Sequence, residues 1–372
     1  MIDSTFPGRV GLQQRVIPAY RAVFFDTLAE KCQGGLSVFA GEPLAGEGIE
    51  PAKQLQKARL VKASNISIFD PSSTWFFGWQ AGFIRWLEEW QPDILVVEAN
   101  PRYLMTGSAI RWMHRRGRKV IGWGLGAPQI SGPLPGIRNR QRLHLLRQLD
   151  AIIAYSQLGQ GQYRAVGMPV ECVYVASNSV APTPSHPPPE RPDRFDGQPS
   201  ILFVGRLQRR KRVDLLIQAC SFLRGSLKPK LVIVGEGPAQ EELRQVAKTA
   251  YPETQFSGAK YGPELEPYFA QADLFVLPGT GGLAIQQAMA HGLPVVAAQG
   301  DGTQDDLVRP ENGWQMPPDD LQALINRLQL ALEDPARLRK MGHESYRIVA
   351  EEINVEKMAE VFIQAINEVS HR

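Results

Sequence analysis

The amino-acid sequence predicts an α/β fold made of two parallel-sheet domains that face each other across a cleft. A chain of 372 residues exceeds one ordinary hydrophobic core, so two domains are expected. Residues 181–199 are rich in proline, which neither a helix interior nor a central strand accommodates. We therefore predict an N-terminal domain at 1–180, a linker at 181–199 and a C-terminal domain at 200–353.

Both halves alternate short apolar runs with amphipathic segments, which is the pattern of parallel strands joined by helices. In the C-terminal half we predict strands at 201–204, 231–234, 274–277 and 294–297, and helices at 212–222, 239–247, 283–290, 320–332, 336–351 and 354–369. In the N-terminal half we predict strands at 37–40, 66–69, 94–97, 119–123, 151–155 and 172–175, and helices at 18–31, 75–90, 103–115 and 136–148. The last helix, about 354–372, is expected to pack back on the N-terminal domain.

The composition is that of a globular protein without structural cross-links. Hydrophobic residues make up 43% and charged residues 21%, and the three cysteines have neither metal-ligand nor disulfide spacing. The first residues contain no apolar signal-peptide core and no apolar run reaches spanning length, so a cytoplasmic location is expected. The net charge is only +3, but basic residues cluster at 115–119, 138–147 and 209–212, which indicates a phosphate-bearing partner.

Two glycine-containing segments of the C-terminal half predict an anion site. Gly205 and Arg206 follow the first predicted strand, and Lys211 comes just before the next helix. Ligands of open parallel sheets bind at the carboxyl ends of strands, where glycine lets the backbone approach. The run 279–282 closes another strand and opens helix 283–290, whose N–H groups and dipole attract anions. A solvated basic turn and a tight connection are the alternatives for each segment alone.

The order and spacing of these motifs resemble the retaining GT-B glycosyltransferases of family 4, which have two Rossmann-like domains facing across a cleft. The matching segments are 204–207 (VGRL) with Lys211, 233–238 (IVGEGP), 256–258, 268–273, 279–290, 292–297 and 312–313. In the N-terminal half the best match is 175–180. The resemblance is therefore strongest across the C-terminal half.

The resemblance implies a glycosyltransferase that moves a sugar from a nucleotide-diphosphate sugar to a saccharide or lipid-linked acceptor, with retention of configuration, in polysaccharide or glycoconjugate synthesis. It implies that Arg206 and Lys211 are catalytic residues that hold the diphosphate. The residues implied to bind the nucleotide sugar are Gly205, Gly235, Gly237, Lys260, Thr280, Gly281, Gly282, Leu283 and Gln287. A purely geometric role is the alternative for Gly235 and Gly237, and solvation is the alternative for Lys260.

Two positions depart from the family's pattern of paired glutamates. Gly279 stands where the family's first glutamate touches the donor sugar, and Gln287 stands where the second touches the ribose. The Gln287 amide still exchanges hydrogen bonds with ribose hydroxyls. The chain is therefore either an active variant or a non-catalytic nucleotide-sugar-binding protein. Three aspartates after the next strand either replace a carboxylate or cap the loop: Asp301, Asp305 and Asp306.

No metal or cofactor is expected for this chemistry. The sequence contains no D-x-D segment and no cluster with metal-ligand spacing. Protein cations and a helix terminus are then expected to stabilise the charge on the leaving diphosphate. A sugar-nucleotide epimerase of the same architecture is a further alternative, but it needs acid and base residues that we do not find at matching positions.

The N-terminal half is expected to bind the acceptor. Residues 8–15 are expected to form a glycine-rich loop. Glu98 ends a buried strand and is a catalytic candidate, either to orient an acceptor hydroxyl or to accept its proton. Capping of the following helix is the alternative role for Glu98. The acceptor-side candidates are Arg9, Gly11, Gln14 and Arg102.

Peripheral contact with the inner face of a membrane is a further expectation. The aromatic run 75–79 and the basic segments 115–119 and 138–147 would suit a bilayer that carries a lipid-linked acceptor. Core packing is the alternative explanation of the aromatic run. No nucleic-acid-binding motif accompanies the charge, so no nucleic-acid partner is expected.

Overall fold

The computed structural model describes residues 4–44, 47, 49–69, 73, 75–223 and 227–372. The chain divides into two compact units. Unit 1 comprises Met1–Pro182 and Val355–Arg372, and unit 2 comprises Thr183–Asn354. The last helix of the chain thus belongs to the same unit as the N-terminal half.

Unit 1 forms an eight-stranded sheet among its described residues. The strands are β1 (Val10–Val16), β2 (Leu36–Gly41), β3 (Arg59–Ile68), β4 (Phe77–Ala81), β5 (Ile94–Glu98), β6 (Lys119–Gly124), β7 (Ala151–Ala154) and β8 (Val173–Val175). Their order is β4-β3-β2-β1-β5-β6-β7-β8, and every pair is parallel except β3 with β4. Because the order reverses between β1 and β5, their carboxyl ends form the topological switch point, where such sheets bind ligands.

Helices cover both faces of the unit 1 sheet. They are α1 (Ala22–Glu30), α2 (Phe83–Trp90), α3 (Thr106–His114), α4 (Pro135–Leu146), α5 (Gln157–Ala165) and, from the end of the chain, α13 (Val355–Ser370). Val96 of β5 joins a core with α1 and α13, whereas its neighbour Leu95 joins a core with α2, α3 and α4. Phe362 of α13 packs edge-on against Phe24 of α1, with ring centroids 5.0 Å apart. None of the described helices has the length and apolar character to cross a bilayer.

Unit 2 forms a six-stranded parallel sheet among its described residues. Its strands are β9 (Ser200–Val204), β10 (Lys230–Val234), β11 (Gln255–Phe256), β12 (Leu274–Leu277), β13 (Val295–Ala298) and β14 (Gly313–Met316). Its helices are α6 (Val213–Phe222), α7 (Gln240–Ala250), α8 (Glu266–Gln271), α9 (Leu283–Ala290), α10 (Thr303–Leu307), α11 (Leu321–Leu332) and α12 (Pro335–Glu351). The strand order β11-β10-β9-β12-β13-β14 reverses between β9 and β12, which places the switch point there.

The proline-rich segment is held to unit 2 by hydrogen bonds from two arginines, the half-buried Arg191 and the buried Arg339. Arg191 donates from Nε to the carbonyl of Ala272 at 2.9 Å and from Nη2 to the carbonyl of Phe269 at 2.8 Å. Arg339 donates to the carbonyl of Pro192 at 2.8 Å. Burial lowers the pKa of Arg191 to about 10, so it remains charged at neutral pH. These contacts tie the segment that precedes β9 to the same unit as β9.

Several element predictions in unit 1 are wrong. Within the expected loop 8–15, residues 10–15 belong to strand β1, which pairs with β2 and β5. The polar Gln13 side chain is accommodated there by a hydrogen bond with Gln80 at 2.6 Å. Residues 75–90, expected as one helix, form β4 and α2, separated by Gly82 at φ +84°. In unit 2, by contrast, helix 283–290 is confirmed at both ends.

Candidate functional site

The switch point of unit 2 brings together the two glycine segments that the sequence singled out. Gly205 and Arg206 follow β9, and the turn 278–282 follows β12, the strand beside β9. Arg206 is half-buried, and Thr280 is exposed. The helix α9 begins at Leu283, directly after the turn.

The loop after β9 is bonded directly to the glycine turn. The backbone N–H of Thr280 donates to the carbonyl of Arg210 at 3.1 Å. Arg210 Nη1 donates to Thr280 Oγ1 at 3.1 Å, and Lys211 Nζ donates to the Thr280 carbonyl at 2.6 Å. Two adjacent cations are therefore held at the N-terminal end of α9, where the helix dipole adds further positive potential. The arrangement suits an anion.

Gly279 has no room for a side chain. A Cβ added at this position would lie against the carbonyl oxygen of Arg210 and 2.7 Å from the Cα of Lys211. Real Cβ atoms essentially never approach backbone atoms so closely, so a larger residue would push the turn away from the loop. The missing side chain at Gly279 therefore follows from the packing that holds Lys211 in place.

The ammonium of Lys211 is perturbed by its surroundings. Burial lowers the pKa of its ammonium to about 8, with repulsion from Arg210 acting in the same direction and Asp301 opposing it. The group is therefore mostly protonated at neutral pH, but at a cost that a bound anion would relieve. Asp301 also accepts hydrogen bonds from the N–H and Oγ1 of Thr303, at 3.1 and 2.6 Å. Loop capping, one of its two predicted roles, is thus observed.

The glycines after β9 and β10 allow two backbone segments to pack against each other. The N–H of Gly205 donates to the carbonyl of Val234 at 3.0 Å. A Cβ at Gly235 would meet the carbonyl oxygen of Gly205, and a Cβ at Gly237 would lie 2.8 Å from the nitrogen of Leu207. This close packing requires glycine at both positions, and nucleotide binding by Gly235 and Gly237 stays a prediction.

Gln287 lies in α9, and Lys260 follows an outer strand of the unit 2 sheet. Gln287 is half-buried on α9, whereas its neighbour Gln286 is fully buried and donates to the carbonyl of Ile353 at 2.7 Å. Lys260 follows β11, an outer strand that is separated from β12 by β10 and β9. Its ammonium forms an ion pair with Glu264 at 3.7 Å. Among the described residues, no three His, Cys, Asp or Glu side chains are arranged to hold a metal ion.

The switch point of unit 1 centres on Glu98. Its Oε1 accepts a hydrogen bond from the backbone N–H of Arg15 at 2.8 Å, and the Tyr103 hydroxyl donates to its carboxylate. Burial raises the pKa of Glu98, while these hydrogen bonds and the charges of Arg15 and Arg21 oppose the shift. Arg15 is itself paired with Glu47 through two contacts of 3.0 and 2.7 Å. A partly buried carboxylate is thus held at the place where a parallel sheet binds its ligand.

Two of the four acceptor-side candidates, Arg9 and Gly11, lie toward the amino end of β1, whereas Glu98 ends β5 at the carboxyl side of the sheet. Arg9 lies at the amino end of β1, where it donates to the carbonyl of Trp90 at 3.2 Å. Gly11 is buried near that end and packs against Trp86. Gln14 is also buried, and its carbonyl accepts from Gln80 at 3.0 Å. Arg102 follows β5, and its guanidinium stacks over the ring of Phe76 at 5.5 Å.

Sequence reasoning missed several residues that complete the two sites. Arg210 was part of a recognised basic run, but nothing in the run distinguished it from Arg209, which pairs instead with Glu242 at 3.0 Å. Tyr103 and Arg21 gave no signal, because their proximity to Glu98 arises only when the strands pair. Arg21 is buried with its guanidinium 5.3 Å from the ring of Trp123.

The segment that contains the unit 2 site is similar in sequence to known glycosyltransferases. Residues 198–334, from β9 to α11, match the family model described as Glycosyl transferases group 1. A putative colanic acid biosynthesis glycosyltransferase of Escherichia coli is 29% identical over 217 residues, which are 54% of this chain and 53% of that protein. A GDP-mannose-dependent alpha-mannosyltransferase of Mycobacterium tuberculosis is 35% identical over 170 residues, 42% of each. The chain spans about half the length of the curated relatives it matches.

The likeness to solved structures extends over both units. The Anabaena protein HepE, solved in complex with UDP, superposes with a TM-score of 0.70 and 16% identity. The match covers 97% of this chain and 99% of that one. At such low identity the likeness concerns the fold. Together with the two parallel-sheet units, it shows that the chain has the two-domain α/β fold of the GT-B glycosyltransferases.

Proposed function

We propose that this protein is a glycosyltransferase that uses a nucleotide-diphosphate sugar as donor and a saccharide or lipid-linked molecule as acceptor. The observation that carries the proposal is the bonded pair of segments at the unit 2 switch point, where Arg210 and Lys211 contact the turn that opens α9. The family match over residues 198–334 and the names of the relatives support the same class of reaction.

The diphosphate is the part of the donor for which the site offers most. Arg206 and Lys211 supply charge, and the backbone N–H groups from Thr280 to Leu283 supply directed donors at a helix N-terminus. These groups stabilise the negative charge that develops on the leaving nucleotide diphosphate, which is usually the largest electrostatic contribution to such a transfer. In this proposal protein cations take the place of a divalent metal ion. Removal of metal with EDTA is then expected to leave activity within about twofold.

The donor sugar is contacted without a carboxylate from position 279. The packing of Gly279 against the backbone of Arg210 and Lys211 excludes a side chain there. In our proposal backbone groups of the turn meet the sugar hydroxyls, and the Gln287 amide meets the ribose. The relatives suggest which nucleotides to test, since one uses GDP-mannose and a protein of the same fold binds UDP.

Unit 1 contributes the acceptor end of the proposal. Glu98 has the partial burial and hydrogen-bond partners of a carboxylate that orients a hydroxyl or accepts its proton. The family resemblance supports transfer with retention of configuration, in which the nucleotide diphosphate leaves from the face that the acceptor enters. The relative named for colanic acid biosynthesis supports a role in making a polysaccharide or glycoconjugate.

A non-catalytic nucleotide-sugar-binding protein is the second candidate, because Gly279 and Gln287 leave both glutamate positions empty of carboxylates. Isothermal titration with UDP-, GDP- and TDP-sugars tests whether a donor binds. Slow hydrolysis of the bound donor then distinguishes an enzyme from a binding protein. Absence of binding by every nucleotide diphosphate would refute both candidates, and epimerised donor in the product mixture would indicate the epimerase alternative.

A further inference from the structure

The cationic charge of the protein is concentrated in one stretch of unit 1. The 51 residues from 99 to 149 contain ten arginines and lysines and no aspartate or glutamate. The stretch therefore has a net charge of +10, and because the whole chain has a net charge of +3, the remaining residues have a net charge of −7. The stretch spans α3, β6 and α4 together with their connections. Such an imbalance within a nearly neutral protein indicates an anionic partner.

These cations are largely unneutralised by carboxylates. Within the described part of the chain, one of these ten side chains forms an ion pair with a carboxylate. It is Lys119, which pairs with Asp150 at 3.2 Å. Arg138 and Arg142 instead donate to backbone carbonyls, at 2.8 and 2.6 Å. Elsewhere cations are balanced locally, as for Arg347, which contacts three glutamates. The charge of the 99–149 stretch therefore remains available to a partner.

The two helices of the stretch present their cations side by side. α3 and α4 pack on the same face of the sheet, since Met113 and Leu146 join one core. On α4, the exposed positions Ile137, Arg140, His144 and, just past its end, Arg147 recur at helical spacing and so form one stripe. We call the outer sides of α3 and α4, with the loop 125–134, the basic face.

Exposed apolar side chains lie within the basic face. Leu134 and Ile137 at the start of α4 are 52% and 56% exposed, and Leu125 in the preceding loop is 40% exposed. Nucleic acid offers phosphates to such a surface but gives no reason to expose aliphatic side chains. An anionic bilayer offers both lipid phosphates for the arginines and an interface for the leucine and isoleucine. The combination favours a membrane.

We propose that the basic face docks this protein on an anionic lipid bilayer, with Leu134 and Ile137 entering the interface and Arg140 and Arg147 contacting lipid phosphates. Neither the donor site nor the transfer reaction enters this inference. Membrane binding through the basic face is therefore expected even if the proposed transfer reaction is wrong.

The test is flotation of the full chain with vesicles of phosphatidylcholine, with or without about one third phosphatidylglycerol. Binding is expected only with phosphatidylglycerol and is expected to weaken with salt. Each arginine removed should weaken binding about fivefold, so the double variant Arg140→Gln with Arg147→Gln should lose on the order of 25-fold. The matched control is Lys57→Gln with Lys357→Gln, exposed cations associated with the α1 and α13 face, and it should bind within about twofold of the unmodified protein.

The second variant tests the apolar part of the basic face. Leu134→Asn with Ile137→Ser keeps every charge, and asparagine accepts the positive φ of position 134. This variant is expected to lose vesicle binding several-fold while retaining its thermal unfolding midpoint. The proposal is overturned if no vesicle is bound or if the lysine control loses as much binding as the arginine variant. It is equally overturned if single-stranded DNA binds as tightly as vesicles and the apolar variant binds vesicles normally.

Discussion

In unit 1 the carboxyl ends of β1 and β5 meet at a carboxylate, Glu98, whereas in unit 2 the carboxyl ends of β9 and β12 meet at a cation, Lys211. Both sheets reverse their strand order at that point, so the two units share this switch point although their strand numbers differ. The difference lies in the residues placed there: one edge suits a hydroxyl and the other a phosphate. A shared fold thus determines where a ligand binds, and individual side chains determine which ligand.

The two edges also differ in how their key residue is held. Glu98 is held by hydrogen bonds from the N–H of Arg15 and the hydroxyl of Tyr103, so its surroundings tolerate an isosteric change. Lys211 is held by close backbone packing against Gly279 and the Thr280 carbonyl. Unit 1 should therefore be sensitive to the charge of one side chain, and unit 2 to the addition of a single methyl group.

The largest expected effect comes from Glu98→Gln. Loss of a group that orients a hydroxyl or accepts its proton should lower acceptor-dependent turnover by about 10² to 10⁴-fold. The dissociation constant of the nucleotide diphosphate should stay within about twofold, because that ligand is assigned to unit 2. Steady-state kinetics and titration calorimetry measure the two quantities, with the exposed Glu88→Gln as the control. A turnover that stays within twofold would show that the unit 1 edge takes no part in the reaction.

Acidification should lower turnover by protonating Glu98. The pKa of Glu98 is raised by burial, and only the ionised carboxylate accepts a proton. Turnover should therefore decline on acidification at a higher pH than an ordinary glutamate would require, and this acid limb should disappear in Glu98→Gln. An identical pH profile for the two proteins would contradict the assignment.

Gly279→Ala should damage unit 2 through packing. The added methyl group meets the backbone of Arg210 and Lys211, so we expect a loss of roughly 1–3 kcal/mol in the free energy of unfolding. Binding of the nucleotide diphosphate should weaken about tenfold or more as the turn moves away from Lys211. Gly161→Ala on α5 is the matched control, because nothing lies within 4 Å of its added Cβ. Equal stability and affinity in the two variants would contradict the packing argument.

The affinity for the nucleotide diphosphate should depend on pH through Lys211. Its pKa is lowered to about 8, so the ammonium loses its charge as the pH rises through that value. Affinity should be steady below about pH 7 and fall by up to about tenfold per pH unit above 8. In Lys211→Arg the charge persists, and the decline should vanish. If both proteins lose affinity in parallel, another group is responsible.

The smallest expected effect is that of Gln287→Glu. A carboxylate at this half-buried position still accepts hydrogen bonds from ribose hydroxyls, so donor affinity should change by no more than about threefold. Gln286→Glu, one residue earlier, provides the contrast. It would set acceptor oxygens against the buried carbonyl of Ile353 and should lower stability by roughly 1–3 kcal/mol. A collapse of donor affinity in Gln287→Glu would argue against contact with the ribose.

The sequence predicted unit 2 better than unit 1, for a physical reason. Strand β12 is apolar throughout and β9 is apolar after Ser200, and helix α9 follows its glycine turn directly, so local pattern and structure agree. Strand β1 contains the polar residues Gln13 and Gln14, which are buried by pairing with a side chain from β4. That pairing involves residues more than sixty positions apart, and no local pattern reveals it.

The same distinction holds for the candidate sites. Lys211 and the turn 279–282 are recognisable from the basic and glycine-rich composition of their segments, and the structure brings them together. The environment of Glu98 depends on Arg21 and Tyr103, which meet it only after the strands have paired. Arg9 and Gly11 were singled out as part of a glycine-rich loop, but Gly11 lies in β1 and Arg9 directly precedes it, so both lie toward the amino end of that strand. The expected domain limits and site roles remain predictions.

The most direct test of the unit 2 site compares two neighbouring cations by titration calorimetry with UDP and GDP. Lys211 contacts the glycine turn, whereas Arg209, from the same basic run, pairs with Glu242. Lys211→Gln should weaken binding by about 1.5–3 kcal/mol, roughly 10- to 150-fold, as expected for a lost charge-assisted contact. Arg209→Gln should stay within about twofold of the unmodified protein. Equal losses in the two variants, or no loss in Lys211→Gln, would contradict the proposed diphosphate site.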